Sequence, residues 1–174
     1  KAGHYNKGQP YEIGCALSHY TVIKKAYLEG AESIFVFEDD ALLRKGFDEK
    51  FPKYMDSAPK DWQMIMLYAF MYQIFPQNIR ISSKWMKSYN AWSTMAYGIK
   101  RDLMEEYIKR QDAFFSISDM PFYKMQAEGY PIYNTTPTLC IPDAEMGSNI
   151  RGTNMNYENN QTVINLGFDK SNFE

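Results

Sequence analysis

The sequence contains few of the residues that build disulfide scaffolds or metal clusters. It has two cysteines and two histidines among 174 residues. Cys15 and Cys140 lie far apart along the chain, and neither belongs to a CxxC pair or to a Cys/His cluster in the sequence. This spacing indicates neither a zinc site nor a disulfide framework, and we expect both thiols to be buried.

Long apolar runs and an excess of one charge are also absent. No run approaches the ~20 apolar residues that a membrane-spanning helix needs, and no signal-peptide pattern opens the chain. Nineteen Lys and Arg residues stand against twenty-one Asp and Glu residues, which gives a formal net charge of -2. We therefore expect no nucleic-acid partner, no transmembrane segment and a cytoplasmic location, with peripheral contact to the inner face of a membrane left open.

Apolar and aromatic residues are plentiful, at 45% and 16% of the chain. A chain of this length and composition can bury one sizeable core, and we predict a single domain over residues 1–174. The chain begins at Lys1 in a polar, turn-rich stretch, which we interpret as a fragment of a longer protein. The stretch 147–174 is rich in Asn and Gly, and we expect a loop-like tail there.

Helical and extended patterns alternate along the chain. Apolar residues recur at helical spacing over 13–28, Gly30 follows in the position of a C-cap, and the apolar run 33–37 then predicts a buried strand. Residues 70–90 show no clean period and are expected to form a loop or an irregular insertion. The other predicted elements are helices over 45–57, over 101–110 and from Ser116 or Ser118 to Gln126, strands over 62–68 and 94–99, and an extended segment over 131–141. This alternation predicts an α/β sheet with helices on its faces, in which ligands bind at the carboxyl ends of strands.

Three consecutive carboxylates, Glu38, Asp39 and Asp40, follow the first predicted strand directly. Such neighbours repel one another unless a cation offsets their charge, and a hard divalent ion with oxygen ligands is the natural candidate. In an extended segment Glu38 and Asp40 point to one side and Asp39 to the other. The alternative is a charged junction in which Asp39 or Asp40 caps the next element.

Two patterns occur in order and at a specific spacing, EIGCALSH at residues 12–19 and FVFEDDA at residues 35–41. Together they resemble glycosyltransferase family 25, which includes lipopolysaccharide-type galactosyltransferases and collagen galactosyltransferases. This family shows a G-C-x-x-S-H segment, then a hydrophobic strand and E-D-D. Shorter similarities follow at residues 96–99, at Asp119, at Pro137 and Leu139, and at residues 148–150.

The resemblance implies a GT-A-like (Rossmann-like) fold with a mixed sheet flanked by helices. It also implies a UDP-sugar donor, a Mn2+ or Mg2+ ion, a glycan or other hydroxyl acceptor, and inversion at the anomeric carbon. The transferred sugar would be a hexose, galactose or glucose. Two features depart from the family pattern: the first βα unit has no counterpart before Lys1, and Asn149 stands where the family often has Asp.

On this resemblance Asp40 is the best candidate metal ligand, with Glu38 as a second ligand. Glu38 or Asp39 would lie near the donor ribose or sugar. Ser18 and His19 are candidates for contact with the donor, His19 through its phosphates, although a single histidine in a helix is also typical of a structural role. A further metal ligand would come from Asp143, Glu145 or Asn149, or from water.

Asp119 is the candidate general base or acceptor-binding carboxylate, because it lies beside a predicted helix start beyond the third strand. The alternative is an ordinary first-turn Asp that interacts with the helix dipole. Among the aromatic residues, we predict Trp85 as a sugar-stacking platform and Trp92 as part of the core.

Two other functional classes remain open from the sequence. One is a non-catalytic domain of the same fold that binds a carbohydrate or a nucleotide. The other is a metal-dependent phosphotransfer or hydrolase domain that uses the same acidic triplet.

Overall fold

In a computed structural model, which describes residues 10–69, 79–87, 89–143 and 170–174, helices flank a mixed sheet. The helices are α1 (Pro10–Leu28), α2 (Phe47–Met55), α3 (Arg101–Ala113) and α4 (Met120–Ala127). The strands are β1 (Ser33–Phe37), β2 (Ala41–Leu43), β3 (Met64–Met66), β4 (Ile79–Arg80), β5 (Trp85–Lys87), β6 (Ala96–Lys100), β7 (Ile132–Thr135) and β8 (Cys140–Pro142). A short 3-10 turn covers Lys170–Asn172.

The larger sheet has six strands in the order β1-β6-β3-β7-β5-β4. Among the strands of the described residues, only β3 and β7 pair in parallel, and the other neighbours run antiparallel. The two remaining strands, β2 and β8, form a separate antiparallel ladder. The prediction of a mixed α/β sheet flanked by helices is confirmed.

The central strand β3 separates two apolar layers. Met64 and Met66 pack on one face of the sheet with residues from α1, α3 and α4. Ile65 and Leu67 pack on the other face with Tyr54 of α2 and with the β2–β8 ladder. Successive side chains of a strand point to opposite faces, so an uninterrupted apolar run is what a strand covered on both sides requires.

Helix α1 ends where the sequence predicts. The N–H of Ala31 bonds to the carbonyl of Ala26 and that of Gly30 to Tyr27, with Gly30 at φ 82°. This is the Schellman arrangement, which favours glycine because a left-handed residue closes the helix. Arg101 donates to the carbonyl of Tyr27 at 2.9 Å and so ties the end of α1 to the start of α3.

Strand β1 lies at the edge of the sheet and pairs with β6. Phe35 stands opposite Gly98 in this register. A Cβ at Gly98 would lie 2.4 Å from Cε1 of Phe35, closer than real contacts allow. Glycine is therefore required here so that the Phe35 ring can lie across β6 and meet Phe51 of α2 edge to face.

Several expectations differ from the structure. Strands β4 and β5 fall within the predicted irregular stretch 70–90, and β2 directly follows the acidic triplet. Each of these strands has two or three residues, which is too few to show an alternation of apolar and polar side chains. The extended segment 131–141 consists of two strands in different ladders. Residues 144–169, most of the expected tail, lie outside the described residues, but Phe173 is buried and bridges to Arg44.

Candidate active site

The acidic triplet begins one residue after β1 ends. The backbone N–H of Glu38 donates to the carbonyl of Met95 at 2.8 Å, which continues the β1–β6 pairing by one residue. The N–H of Ala41 then bonds to the carbonyl of Glu38, so the chain turns at Asp39 and Asp40. Asp39 is exposed, whereas Glu38 and Asp40 are partly buried.

His19 lies in the interior and joins α1 to this turn. Its Nε2 atom lies 3.1 Å from Oε1 of Glu38 and its Nδ1 atom lies 3.0 Å from the hydroxyl of Tyr97. The side chain of His19 is 5% exposed and that of Glu38 is 28% exposed. Both ring nitrogens thus have partners, which fixes the orientation of the imidazole.

The contact between His19 and Glu38 is an ion pair at neutral pH. Burial alone would lower the pKa of His19, but interactions with Cys15 and Glu38 outweigh it and raise that pKa to about 9. Burial would raise the pKa of Glu38, but the hydrogen bond and charge of His19 outweigh burial and lower it. Each group holds the other in its charged form.

A chain of hydroxyl groups also ends on Glu38. Thr94 donates its single O–H to Oε1 of Glu38 at 2.9 Å, so the 3.0 Å contact between Thr94 and Ser118 is donated by Ser118. The thiol of Cys15 then donates to Ser118 across 3.5 Å. Residues from α1, from the segment before β6 and from the segment before α4 are therefore joined at one carboxylate.

Asp40, unlike Glu38, has a buried carboxylate oxygen, Oδ1, without a hydrogen-bond partner among the described residues. Pairing of β2 with β8 brings Asp143 beside it, and the N–H of Asp143 donates to the carbonyl of Asp40 at 2.7 Å. Burial and the negative charges of Glu38, Asp39 and Asp143 raise the pKa of Asp40. A bound cation would offset both effects, so these residues fit a hard divalent ion.

Asp119 is connected to the same region through its neighbour Ser118. It occupies the N-cap position of α4, where we had expected Ser116 or Ser118, and its side chain makes no capping hydrogen bond. The alternative role for this carboxylate, an interaction with the helix dipole, needs no such hydrogen bond and stays a prediction. Its backbone carbonyl accepts the N–H of Tyr123, the second aromatic residue of α4.

Ser18 differs from His19 despite being its neighbour. Its side chain is exposed and donates to the carbonyl of Gly14 one turn earlier, at 3.0 Å. The structure thus places His19 in contact with the triplet and gives Ser18 a hydrogen bond within its own helix. Glu145 and Asn149, the other candidate metal ligands, lie outside the described residues.

The prediction for the tryptophans is wrong. Trp85 is fully buried and donates from Nε1 to Ser57 at 3.3 Å, so it belongs to the core. Trp92 is partly exposed and stacks on Tyr123 with 4.2 Å between ring centroids. Trp85 lies in a strand that the sequence pattern did not reveal, and for this reason its burial was missed.

Four residues of the site were not assigned to it from the sequence: Cys15, Thr94, Tyr97 and Ser118. Cys15 and His19 are four residues apart on one helix and therefore share a face, a signal that was available. Tyr97 lies in residues 96–99, one of the shorter similarities to the family, and Ser118 was considered only as a helix start. Nothing in the local sequence singles out Thr94.

Within the part of the chain that the structure describes, no helix is long and apolar enough to cross a membrane.

A mixed sheet flanked by helices, with carboxylates gathered at the end of one strand, defines a Rossmann-like α/β protein. Residues 10–134 match the model of glycosyltransferase family 25 (LPS biosynthesis protein), and the chain belongs to this family. The resemblance carried by residues 12–19 and 35–41 is confirmed.

Relatives are found in bacteria and animals. The lacto-N-neotetraose biosynthesis glycosyltransferase LgtE of Neisseria meningitidis serogroup B is 27% identical, with 76% of this chain and 52% of the relative covered. The lipooligosaccharide biosynthesis protein lex-1 of Haemophilus influenzae is 22% identical, with 77% and 50% covered. Human procollagen galactosyltransferase 2 is 41% identical over 59 residues, with 32% and 9% covered. The chain thus spans about half the length of the two bacterial relatives.

Proposed function

We propose that this chain carries the donor and metal site of an inverting glycosyltransferase. The enzyme would move a hexose, galactose or glucose, from a UDP-sugar to a hydroxyl group of a glycan. The observation that carries this proposal is the buried and unpartnered Oδ1 of Asp40 among three other carboxylates. Membership of a glycosyltransferase family supports the reaction class. The names of three relatives do so too: a lacto-N-neotetraose biosynthesis glycosyltransferase, a lipooligosaccharide biosynthesis protein and a procollagen galactosyltransferase.

Asp40 and Asp143 would hold a Mn2+ or Mg2+ ion in this site, with Glu38 contributing Oε2. Oε1 of Glu38 is already occupied by His19 and Thr94, so that carboxylate is fixed before any ligand arrives. When bound, a hard divalent ion offsets the negative charge that develops on the departing nucleoside diphosphate. Asp39, which is exposed at the turn, would contact the ribose or sugar of the donor.

Inversion needs a group that takes the proton of the acceptor hydroxyl, and we assign this role to Asp119. Two hydrogen bonds, through Ser118 and Thr94, connect the segment before α4 to Glu38. This connection supports a position for Asp119 on the same side of the sheet as the donor site.

Calorimetric titration with UDP, GDP and CDP, each with and without Mn2+, tests the proposal. We expect UDP to bind only when Mn2+ is present, and thermal unfolding to shift upward accordingly, because a ligand that binds the folded state stabilises it. Asp40→Asn should abolish the Mn2+-dependent binding. Asp102→Asn is the matched control, since Asp102 is an exposed carboxylate at the start of α3, beyond the opposite end of β6.

Two results would contradict the proposal. UDP binding of equal strength with and without Mn2+ would indicate a nucleotide-binding domain without a metal-dependent reaction. UDP binding that survives Asp40→Asn would place the ion elsewhere.

A further inference from the structure

Three potential metal ligands of a different kind meet beside the acidic triplet. One ligand atom each from Cys15, His19 and Glu38 can be chosen so that all three lie within 4.8 Å of one another. Cys15 and His19 come from successive turns of α1, and Glu38 comes from the end of β1. A thiol, an imidazole and a carboxylate form the ligand set that selects zinc over hard ions such as Mg2+ and Mn2+.

We propose that Cys15, His19 and Glu38 form a binding site for a borderline-soft divalent cation, Zn2+ in the first instance. The sequence alone indicated no zinc site, because no Cys and His are clustered in a recognised motif. The helix brings Cys15 and His19 onto one face and the fold adds the carboxylate.

The spacing of the three atoms fits such an ion after a small adjustment. Zinc bond lengths of about 2.0–2.3 Å in a tetrahedral site place ligand atoms about 3.3–3.8 Å apart. His19 and Glu38 already meet at 3.1 Å. The remaining atoms need to shift by roughly 1 Å, within the range of side-chain rotation at the partly exposed Cys15.

Each ligand already has the outer partner that a metal site needs. The Nδ1 atom of His19 contacts the hydroxyl of Tyr97, Glu38 accepts from Thr94, and Cys15 contacts Ser118. Such partners fix the tautomer of a ligating histidine and the orientation of the other ligands. Three protein ligands leave a fourth position for water.

Binding of the cation would release protons from its ligands. Cys15 binds as a thiolate and His19 as a neutral imidazole with Nε2 on the ion, so the thiol proton and the imidazolium proton both pass to the solvent. The Ser118 hydroxyl would then rotate to donate to the thiolate. The cation would replace the ion pair between His19 and Glu38 and tie α1 to the turn of the acidic triplet.

Among the remaining soft ligands of the chain, Cys140 provides a control. The sequence has one further cysteine, Cys140, and one further histidine, His4. Burial, with the charges of Asp40 and Glu38, raises the pKa of Cys140 to about 12, so its thiol stays protonated. Cys140 does not belong to the Cys15–His19–Glu38 cluster, and His4 lies outside the described residues.

Titration of the whole chain with Zn2+, followed by calorimetry and by thermal unfolding, tests this site without any sugar donor. We expect Zn2+ to bind, in the parent chain and in Asp40→Asn alike, and to raise the unfolding temperature. Co2+ in its place should give the intense absorption of a thiolate-ligated cobalt ion. Cys15→Ser should remove that absorption and weaken Zn2+ binding at least tenfold, and Thr94→Val should weaken it by roughly tenfold through the outer shell.

Cys140→Ser should retain the Zn2+ affinity and the cobalt absorption. Unchanged binding in Cys15→Ser, or no cobalt–thiolate absorption in the parent chain, would overturn the proposal. The outcome is separable from that of the donor site, because Asp40→Asn should retain Zn2+ binding while losing Mn2+-dependent UDP binding.

Discussion

The Nε2 atom of His19 and the Oε1 atom of Glu38 lie 3.1 Å apart and join α1 to the end of β1. His19 is the last residue of the first sequence pattern, residues 12–19. Glu38 is the first acidic residue of the second pattern, residues 35–41. The contact between them gives a physical reason why the two sequence patterns occur together. Helix α1 supplies the imidazolium that pairs with the first carboxylate of the triplet, and the next two carboxylates lie at the turn that follows.

His19→Ala should destabilise the chain by about 3 kcal/mol, because removal of one partner leaves the other charge partly buried and unpaired. Urea denaturation at pH 7 measures this change. Lys25→Ala, on the same helix but 73% exposed, is the control and should change the free energy of unfolding by no more than about 0.5 kcal/mol. A similar small change for both variants would show that the ion pair contributes nothing.

Stability should fall as pH rises from about 6.5 to about 9. The pKa of His19 is raised on folding, so its contribution is fully present below the unfolded value of about 6.5 and is lost as pH passes through the folded value of about 9. The loss should be of the order of 3 kcal/mol. Denaturation curves at a series of pH values measure it, and His19→Gln should show a flatter dependence over this range. An equal slope in both proteins would assign the pH dependence to other groups.

Asp40→Asn should make the ligand-free chain more stable by about 1 kcal/mol, although we expect it to abolish the proposed metal-dependent binding. The reason is that burial and three neighbouring carboxylates raise the pKa of Asp40, so its charge opposes folding at pH 7. Asp39→Asn, at the exposed neighbouring position, should have a smaller effect. Thermal unfolding in the presence of a chelator compares the two, and a clear loss of stability in Asp40→Asn would contradict the electrostatic account.

Gly98→Ala should destabilise the chain by about 2 kcal/mol, because the new methyl group would overlap the ring of Phe35. The double variant Gly98→Ala/Phe35→Leu should lose less unfolding free energy than the sum of the losses in the two single variants. A double-mutant cycle from denaturant unfolding measures the coupling. If the changes in unfolding free energy of the two single variants simply add, the Phe35 ring is not in steric conflict with the new methyl group.

Much of the fold could be predicted because it has strong local patterns. The helical period of α1, the closing Gly30 and the apolar run of β1 each depend on residues close in sequence. The short strands β2, β4 and β5 could not be predicted, because two or three residues show no alternation. Trp85 was misplaced for the same reason.

The sequence by itself determined the family, the alternation of helices and strands, and the position of three carboxylates directly after an apolar strand. Only the tertiary structure decided which partner each carboxylate meets and how far it is exposed to solvent. Glu38 meets His19, Asp40 meets Asp143, and Asp39 faces solvent. These differences arise from strand pairing and helix packing between segments up to about a hundred residues apart. The burial and neighbouring charges that they create lower the pKa of Glu38 and raise the pKa of Asp40.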